Sequence, residues 1–427
     1  MMLSLYNTIA RFLVPLALMR LWVKSLRNPG YRRSMLRRLG WNLGPPVKSP
    51  VIWFHAVSVG ETLASAPLIH ALLAASPHAE LLVTSTTPTG AAQVERLFGQ
   101  RVLSTWFPFD TPGAVRRFFR HYQPVLVLLM ETEIWPNVVL TSRTSGVPVV
   151  LVNARLSQRS LQRYLRLGRL ARRVVGAIDH VLAQTDADAE RLARLGAERV
   201  TVCGNLKFDI DQAALSQQIA QLQTIFGAGF QRPVVAAVST HPGEEAICAR
   251  AFQSVRTAHP QALLLLAPRH PERVDGLMKE EWLRELKPIQ RSDNRLPEST
   301  NAVFILDTLG ELSAMLAWAD VVFVGGSLIA HGGHNPLEAA VLGKPILTGR
   351  HVHNFTGIYE GLVAAGGADF VADGQGLAAQ WCALLSDETL RAQQGARATA
   401  WAGAHGGTLQ RQLAAIAPLL PSLIEKD

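Results

Sequence analysis

Short apolar runs and longer amphipathic stretches alternate along most of this chain, with the spacing of an α/β protein. Runs suited to strands buried on both faces fall at Val51–His55, Leu81–Thr84, Val125–Met130, Val147–Asn153, His180–Gln184 and Arg199–Gly204. Between them the pattern predicts helices over Glu61–Ala75 and Ala91–Phe98 and an Arg-rich helical region over Ser160–Val175. A linker from Asn205 to about Phe230 follows, and then the plan repeats. Strands are predicted at Val234–Val238, Ala262–Ala267, Phe304–Leu306, Val321–Val324 and Pro345–Leu347, with helices over Glu244–Ala258 and Leu312–Trp318. This doubled α/β plan predicts two doubly wound domains facing a central cleft, with ligands at the carboxyl ends of the strands. The expected segments are 1–40, 41–210 and 211–427, and the helical stretch Gln375–Asp427 either closes the second domain or returns to the first.

The first segment has a different pattern. Met1–Val23 is apolar except for Asn7, Arg11 and Arg20, and Lys24, Arg27, Arg32, Arg33, Arg37 and Arg38 follow. No small-residue cleavage site precedes that flank, so a cleaved signal peptide is not expected. The run between Arg11 and Arg20 is too short for a hydrocarbon core of about 30 Å. A longer span would bring Arg11 near mid-membrane, at about 2.5–3.5 kcal/mol. The reading is an anchor that dips into or weakly spans a membrane, with the body on the cytoplasmic side. A helix packed on its own domain fits the same residues.

Composition narrows the partners. A chain of 427 residues exceeds one ordinary core, and a mean hydropathy of +0.15 is high for a fully soluble protein. The net charge of +9 suits an anionic membrane surface or phosphorylated substrates. Nucleic acid is not expected, because no basic stretch is interleaved with aromatics and no helix-turn-helix or RNP-like pattern occurs. Cys203, Cys248 and Cys382 are odd in number and far apart, which argues against a disulfide framework or zinc knuckle and for a reducing compartment.

Candidate chemistry gathers at predicted strand ends. After Val321–Val324 comes a glycine-rich crossing, Gly325-Gly326 and Gly332-Gly333. Asn335 then stands as helix cap, Pro336 and Leu337 open the helix, Glu338 sits in its first turn and Gly343 ends it. Free N–H groups there would form an anion site; a helix closed by a capping box through Glu338 fits equally. Glu61 follows the first strand and is either a general base or a helix-dipole partner. Glu131 and Glu133 follow Val125–Met130, where they can hold a sugar or stabilise positive charge, or simply cap the helix at Pro136. Lys207 lies in Asn205–Asp209, where it can reach an anion or stay solvated. Pro268-Arg269 suits a phosphate or base carbonyl, Leu309-Gly310-Glu311 forms a loop of N–H donors, and Ser239–Glu244 is a third loop at the same edge.

HAVSVGE, ETEIWPN, NLKFD, APRHPER, DTLGEL and GGSLIAHGGHNPLEAA occur in this order over most of the chain. The set resembles the 3-deoxy-D-manno-octulosonic acid (Kdo) transferase family of Gram-negative bacteria. The resemblance implies a GT-B fold of two Rossmann-like domains, and inverting, metal-independent transfer of Kdo from CMP-Kdo to a lipid A precursor (lipid IVA) in lipopolysaccharide biosynthesis. It also implies membrane association on the cytoplasmic face of the inner membrane, with no cofactor. By the same resemblance Glu61 is the base, Glu131 and Lys207 stabilise the transition state, and Pro268, Arg269, Leu309, Gly310, Glu311, Asn335, Pro336, Leu337 and Glu338 hold CMP.

Other patterns compete. Asp186/Asp188 and Asp209/Asp211 have the spacing of metal-dependent transferases but fall on a helix start and a linker, and His331, His334, His351 and His353 lack ligand spacing on a helix. No metal is expected. Another GT-B enzyme using a UDP-sugar, such as a transferase or epimerase, and a silent sugar-nucleotide- or lipid-binding protein are the other classes considered.

Overall fold

The structure is a computed structural model that describes residues 2–26, 29–210, 212–227 and 230–421. Arg27 and Asp211 lie outside the described residues, as does the side chain of Arg33. The chain forms two compact units, Met1–Asp209 with Gly406–Asp427, and Ile210–His405.

The first unit is built on seven strands: β1 Val51–His55, β2 Glu80–Ser85, β3 Leu103–Trp106, β4 Pro124–Met130, β5 Val149–Ala154, β6 His180–Ala183 and β7 Val200–Val202. They form one parallel sheet in the order β3-β2-β1-β4-β5-β6-β7. Helices cover both faces, so the central strands read as continuous apolar runs. Val51 and Trp53 enter one apolar layer, Ile52 and Phe54 the other. The strand order reverses between β1 and β4, which makes their carboxyl ends the switch point where ligands bind in such sheets.

The second unit repeats the plan with β8 Val234–Thr240, β9 Leu263–Pro268, β10 Ile289–Gln290, β11 Val303–Ile305, β12 Val321–Val324, β13 Ile346–Thr348 and β14 Ala368–Phe370. Its order is β10-β11-β9-β8-β12-β13-β14, again parallel, with the switch point between β8 and β12. Three strands were not predicted: β3, β10 and β14. Each lies in the outer part of its sheet, is short, and lacks an uninterrupted buried apolar run.

Of the expected third segment, 211–427, the stretch from Gly406 returns to the first unit, one of the two outcomes its helical pattern allowed. The helix Thr408–Ile416 belongs to the first unit because Asp209 caps it, accepting from Gly407 N at 2.7 Å and from Leu409 N. Arg411 Nε donates to Cys203 O at 2.9 Å, and Ile416 enters the core beside Cys203 and Leu206. Asp209 is therefore a helix cap, and Asp188 likewise accepts Leu156 N at 2.8 Å within a capped helix start. The Arg-rich region is two helices, Gln158–Arg166 and Arg169–Val175, parted at Gly168 where φ is +50°. The three cysteines are free thiols.

Helix Met2–Ser25 is long and apolar enough to cross a membrane by length and composition. Its first turns are docked. Leu3 and Tyr6 pack on the core, Tyr6 Oη donates to Asp110 Oδ2 at 2.7 Å, and Asn137 Nδ2 donates to Asn7 Oδ1 at 2.9 Å. Asp110 also accepts the N–H groups of Asn137 and Val138, each at 3.0 Å, so one buried carboxylate ties this helix to the start of helix Pro136–Thr144. Leu5, Ile9, Phe12, Leu16, Met19 and Val23, spaced three and four apart, leave one exposed apolar stripe. Not all of the basic flank is solvated. Arg38 is buried, donates to Thr86 O and stacks on Trp106, and burial pulls its pKa down to about 10.

In the second unit Glu244 is fully buried. Its Oε2 accepts Gly326 N at 2.7 Å and His241 N at 3.3 Å, and its Oε1 accepts Ser327 N at 3.1 Å and Leu328 N at 3.0 Å. One carboxylate thus joins the loop after β8 to the loop after β12. Glu244→Ala should lower the unfolding free energy of the second unit by at least about 3 kcal/mol, since several N–H groups lose a charged acceptor. Glu244→Gln should not restore it, because its amide NH2 would face an N–H donor. Urea unfolding of the full chain checks both; a wild-type midpoint in Glu244→Gln would show that the charge is dispensable.

Candidate active site

The first unit brings together the acids that were predicted from β1 and β4. Ser58 caps helix Val59–Ala75, its Oγ accepting Glu61 N at 3.4 Å, and the Glu61 side chain turns back on the entry to the helix, its Oε2 accepting Val57 N at 2.9 Å and its Oε1 accepting Ser58 Oγ at 3.1 Å. Two hydrogen bonds do not offset the loss of water. Burial, with the nearby charges of Glu131 and Glu133, pushes the Glu61 pKa up to about 7. This carboxyl group thus stands in the first turn of a helix, as the helix-dipole reading expected, with its pKa brought close to neutrality.

Glu131 is buried and sits at φ +53°, a left-handed conformation that costs a residue with a Cβ about 1–3 kcal/mol. Its N–H still pairs with Val152 O at 2.9 Å, and its carboxylate accepts Arg155 Nε at 2.7 Å. Glu133 Oε2 accepts Trp135 Nε1 at 2.7 Å and lies 3.6 Å from His55 Nε2. His55 was not among the predicted residues. It is fully buried at the end of β1, stacked on Phe107 at 3.8 Å, with Nδ1 3.0 Å from Thr84 O. That contact assigns the proton to Nδ1 and aims Nε2 at Glu133. Its position as the last residue of a buried strand was the available signal.

Lys207 is carried on a 3-10 turn, Leu206–Phe208. Asn153, at φ +51° in β5, accepts Leu206 N through Oδ1 at 3.0 Å, and Asn205 Oδ1 accepts Lys207 N at 3.0 Å. The turn is thereby fixed at the carboxyl end of β5, next to β4 and Glu131. Neither Asn153 nor Arg155 was predicted.

In the second unit the predicted anion site is rearranged. The N–H groups of Gly326, Ser327 and Leu328 are already bound to Glu244, Gly325 N donates to Val238 O at 2.8 Å, and Gly333 N donates to Gly326 O at 2.8 Å. These five N–H groups are satisfied within the protein and are not free for a ligand. The helix after it, Leu337–Val341, is a single turn; Asn335 Oδ1 accepts Leu337 N at 3.3 Å. Glu338 forms no capping box. It accepts Ser313 Oγ at 2.8 Å, and burial raises its pKa. This bond joins the 335–338 segment to the helix that follows Leu309-Gly310-Glu311. Glu311 accepts Arg291 at 2.8 Å and Thr308 Oγ1, which shapes the loop, while Leu309 is 68% exposed at its tip. Pro268 ends β9, and Arg269 N donates to Thr240 O at 3.0 Å, leaving an exposed guanidinium at the switch-point edge.

His334 and His331 meet His241 from the loop after β8, with candidate ligand nitrogens all within 4.8 Å of one another. Helix spacing could not reveal this trio, since two different loops supply it. His351 and His353 are not in it.

The family model for 3-deoxy-D-manno-octulosonic-acid transferase (kdotransferase) matches residues 33–210. The 3-deoxy-D-manno-octulosonic acid transferase of Bordetella pertussis is 38% identical over 427 residues, covering 97% of this chain and 98% of the relative. That of Haemophilus influenzae is 36% identical over 425 residues, with the same coverage of 97% and 98%. Among solved structures, UDP-GlcNAc 2-epimerase from Neisseria meningitidis bound to UDP-GlcNAc superposes with a TM-score of 0.59 at 14% identity, covering 87% of this chain and 99% of that one. At that identity the likeness is one of fold, two Rossmann-like domains of the GT-B kind. With near-complete coverage by relatives that share more than a third of its residues, this chain belongs to the 3-deoxy-D-manno-octulosonic acid transferase family of glycosyltransferases.

Proposed function

We propose that this chain transfers Kdo from CMP-Kdo to a sugar hydroxyl of a lipid A precursor, lipid IVA, in lipopolysaccharide biosynthesis, with inversion at the anomeric carbon. The observation that carries the mechanism is Glu61, a carboxyl group with a pKa near 7 beside Glu131 and Glu133 at a sheet switch point. A base poised at working pH is what a hydroxyl nucleophile requires. Glu61 takes the hydroxyl proton as the oxygen attacks the anomeric carbon. The bond to the CMP phosphate breaks, and its electron pair leaves on the phosphate oxygen. Glu131 and Lys207 balance the charge that develops around the transferred sugar.

CMP is held by Pro268-Arg269, Leu309-Gly310-Glu311 and Asn335-Pro336-Leu337-Glu338. The committed N–H groups of the glycine crossing shift the phosphate's charge onto Arg269, with Asn335 and the start of its helix turn in support. Glu338 exchanges Ser313 for a ribose hydroxyl. In this proposal the step itself needs no metal and no cofactor. The exposed apolar stripe of helix Met2–Ser25 and the neighbouring basic residues rest the chain on the cytoplasmic face of the inner membrane, where the acceptor lies.

Glu61→Gln should reduce Kdo transfer about 10²–10⁴-fold while CMP binding, followed by calorimetry, stays as in wild type; full turnover in that variant rules Glu61 out as base. For the wild type, transfer should rise with pH through about 7, because the base works only when ionised and burial holds its pKa there. Neutralising a neighbour with Glu133→Gln removes negative charge, lowers the Glu61 pKa and moves this limb to lower pH, as a pH–rate profile would record. Arg269→Ala should weaken CMP binding by about 1.5–3 kcal/mol, the worth of a hydrogen bond to a charged group. Unchanged affinity would relocate the nucleotide.

A further inference from the structure

Three imidazoles meet at the switch point of the second sheet. His241 is 6% exposed in the loop after β8, and His331 and His334 come from the loop after β12. His241 Nε2 lies 2.8 Å from His334 Nε2, and the ring centroids of His241 and His331 are 3.7 Å apart. The backbone is built around these rings. Gly326 has φ +68°, and a Cβ there would stand 2.9 Å from His334 Cδ2. Tyr359 Oη donates to His334 O at 2.8 Å, and Glu244 holds His241 N.

We propose that His241, His331 and His334 bind one borderline transition-metal ion of the Zn²⁺ class, with a fourth coordination position open. Three neutral nitrogens without a carboxylate or thiolate suit Zn²⁺, Co²⁺, Ni²⁺ or Cu²⁺ and not Mg²⁺ or Ca²⁺. Two imidazoles on a tetrahedral ion stand about 3.3 Å apart at Zn–N distances of about 2.0–2.1 Å. The present 2.8 Å contact is a shared N–H···N bond, and metal entry needs a separation of the two nitrogens by about half an ångström. The donor ring then carries its proton on Nδ1, so both Nε2 lone pairs face the ion and no proton is lost. Arg269 and Arg273 lie near His241 and favour an anionic oxygen at the open position.

The test uses Co²⁺ as a spectroscopic probe on the chelator-stripped full chain, and so reads the ion and not the transfer reaction. We expect the visible band of four- or five-coordinate cobalt, saturating at one ion per chain, bleached by Zn²⁺ and indifferent to Mg²⁺. His331→Ala, at an exposed position, should weaken binding by at least about tenfold, and His334→Gln should remove the band, with circular dichroism confirming that both remain folded. The proposal is overturned if no such band develops, or if the two variants titrate like wild type. It is equally overturned if inorganic phosphate, without any metal, binds to the wild type and fails to bind to both variants, since the imidazoles would then hold an anion directly.

Discussion

A carboxylate sealed from water fixes the functional edge of the second sheet. An isolated buried charge would cost several kcal/mol, and Glu244 offsets that cost by accepting N–H groups from both loops that leave the switch point. The settlement is rigid because it is complete. The loops after β8 and β12 are thereby tied to each other at His241, Gly326, Ser327 and Leu328, close to the groups they carry. Gly326 belongs to the same settlement, since its positive φ and the imidazole above it leave no room for a side chain.

The first sheet reaches its switch point by the opposite balance. Glu61 receives one backbone N–H and one hydroxyl, sits close to two other acids, and has lost much of its water. Under-compensation of that charge is what brings its pKa to about 7, whereas full compensation makes Glu244 scaffolding. Glu131 shows the third outcome. A strained backbone turns it onto Arg155, an ion pair at 2.7 Å whose arginine is still 56% exposed. Three acids of the same chemistry thus take three roles, decided by how many donors meet each and how much water remains.

Much of this architecture could be read from the chain because parallel strands buried on both faces must be apolar throughout. Val51–His55 and Val321–Val324 have the predicted bounds, and the helix Glu244–Ala258 does too. Two outer strands of the second sheet, Ala368–Phe370 and Ile289–Gln290, escaped because they bury too little to show a run. The pattern left open which unit helix Thr408–Ile416 joins, because its partner, Asp209, is nearly two hundred residues away in sequence and resembles a linker acid. Within the candidate site, the positions of Glu61 and Glu131 were legible because each follows the end of an apolar strand run, whereas Lys207 stood in a linker and was given a role in the reaction only by the family resemblance. His55, Arg155 and Asn153 were not legible, since an apolar neighbour or a solvated arginine looks the same in sequence whether or not it orients a carboxylate.

The glycine crossing shows why such reading has a limit. A Gly-rich loop after a strand predicts an anion site only if its N–H groups are unclaimed, and the claimant can come from another strand. Here it comes from the first turn of the helix after β8, where Thr240-His241-Pro242-Gly243-Glu244 carries an acid beside the adjacent strand of the switch point. An acid at that position is bound to compete with any ligand for the neighbouring loop, since both seek the same donors and the resident acid pays no entropy of association. An anion brought to this edge would then have to be met by side chains, of which the exposed Arg269 is the one placed there with a fixed charge.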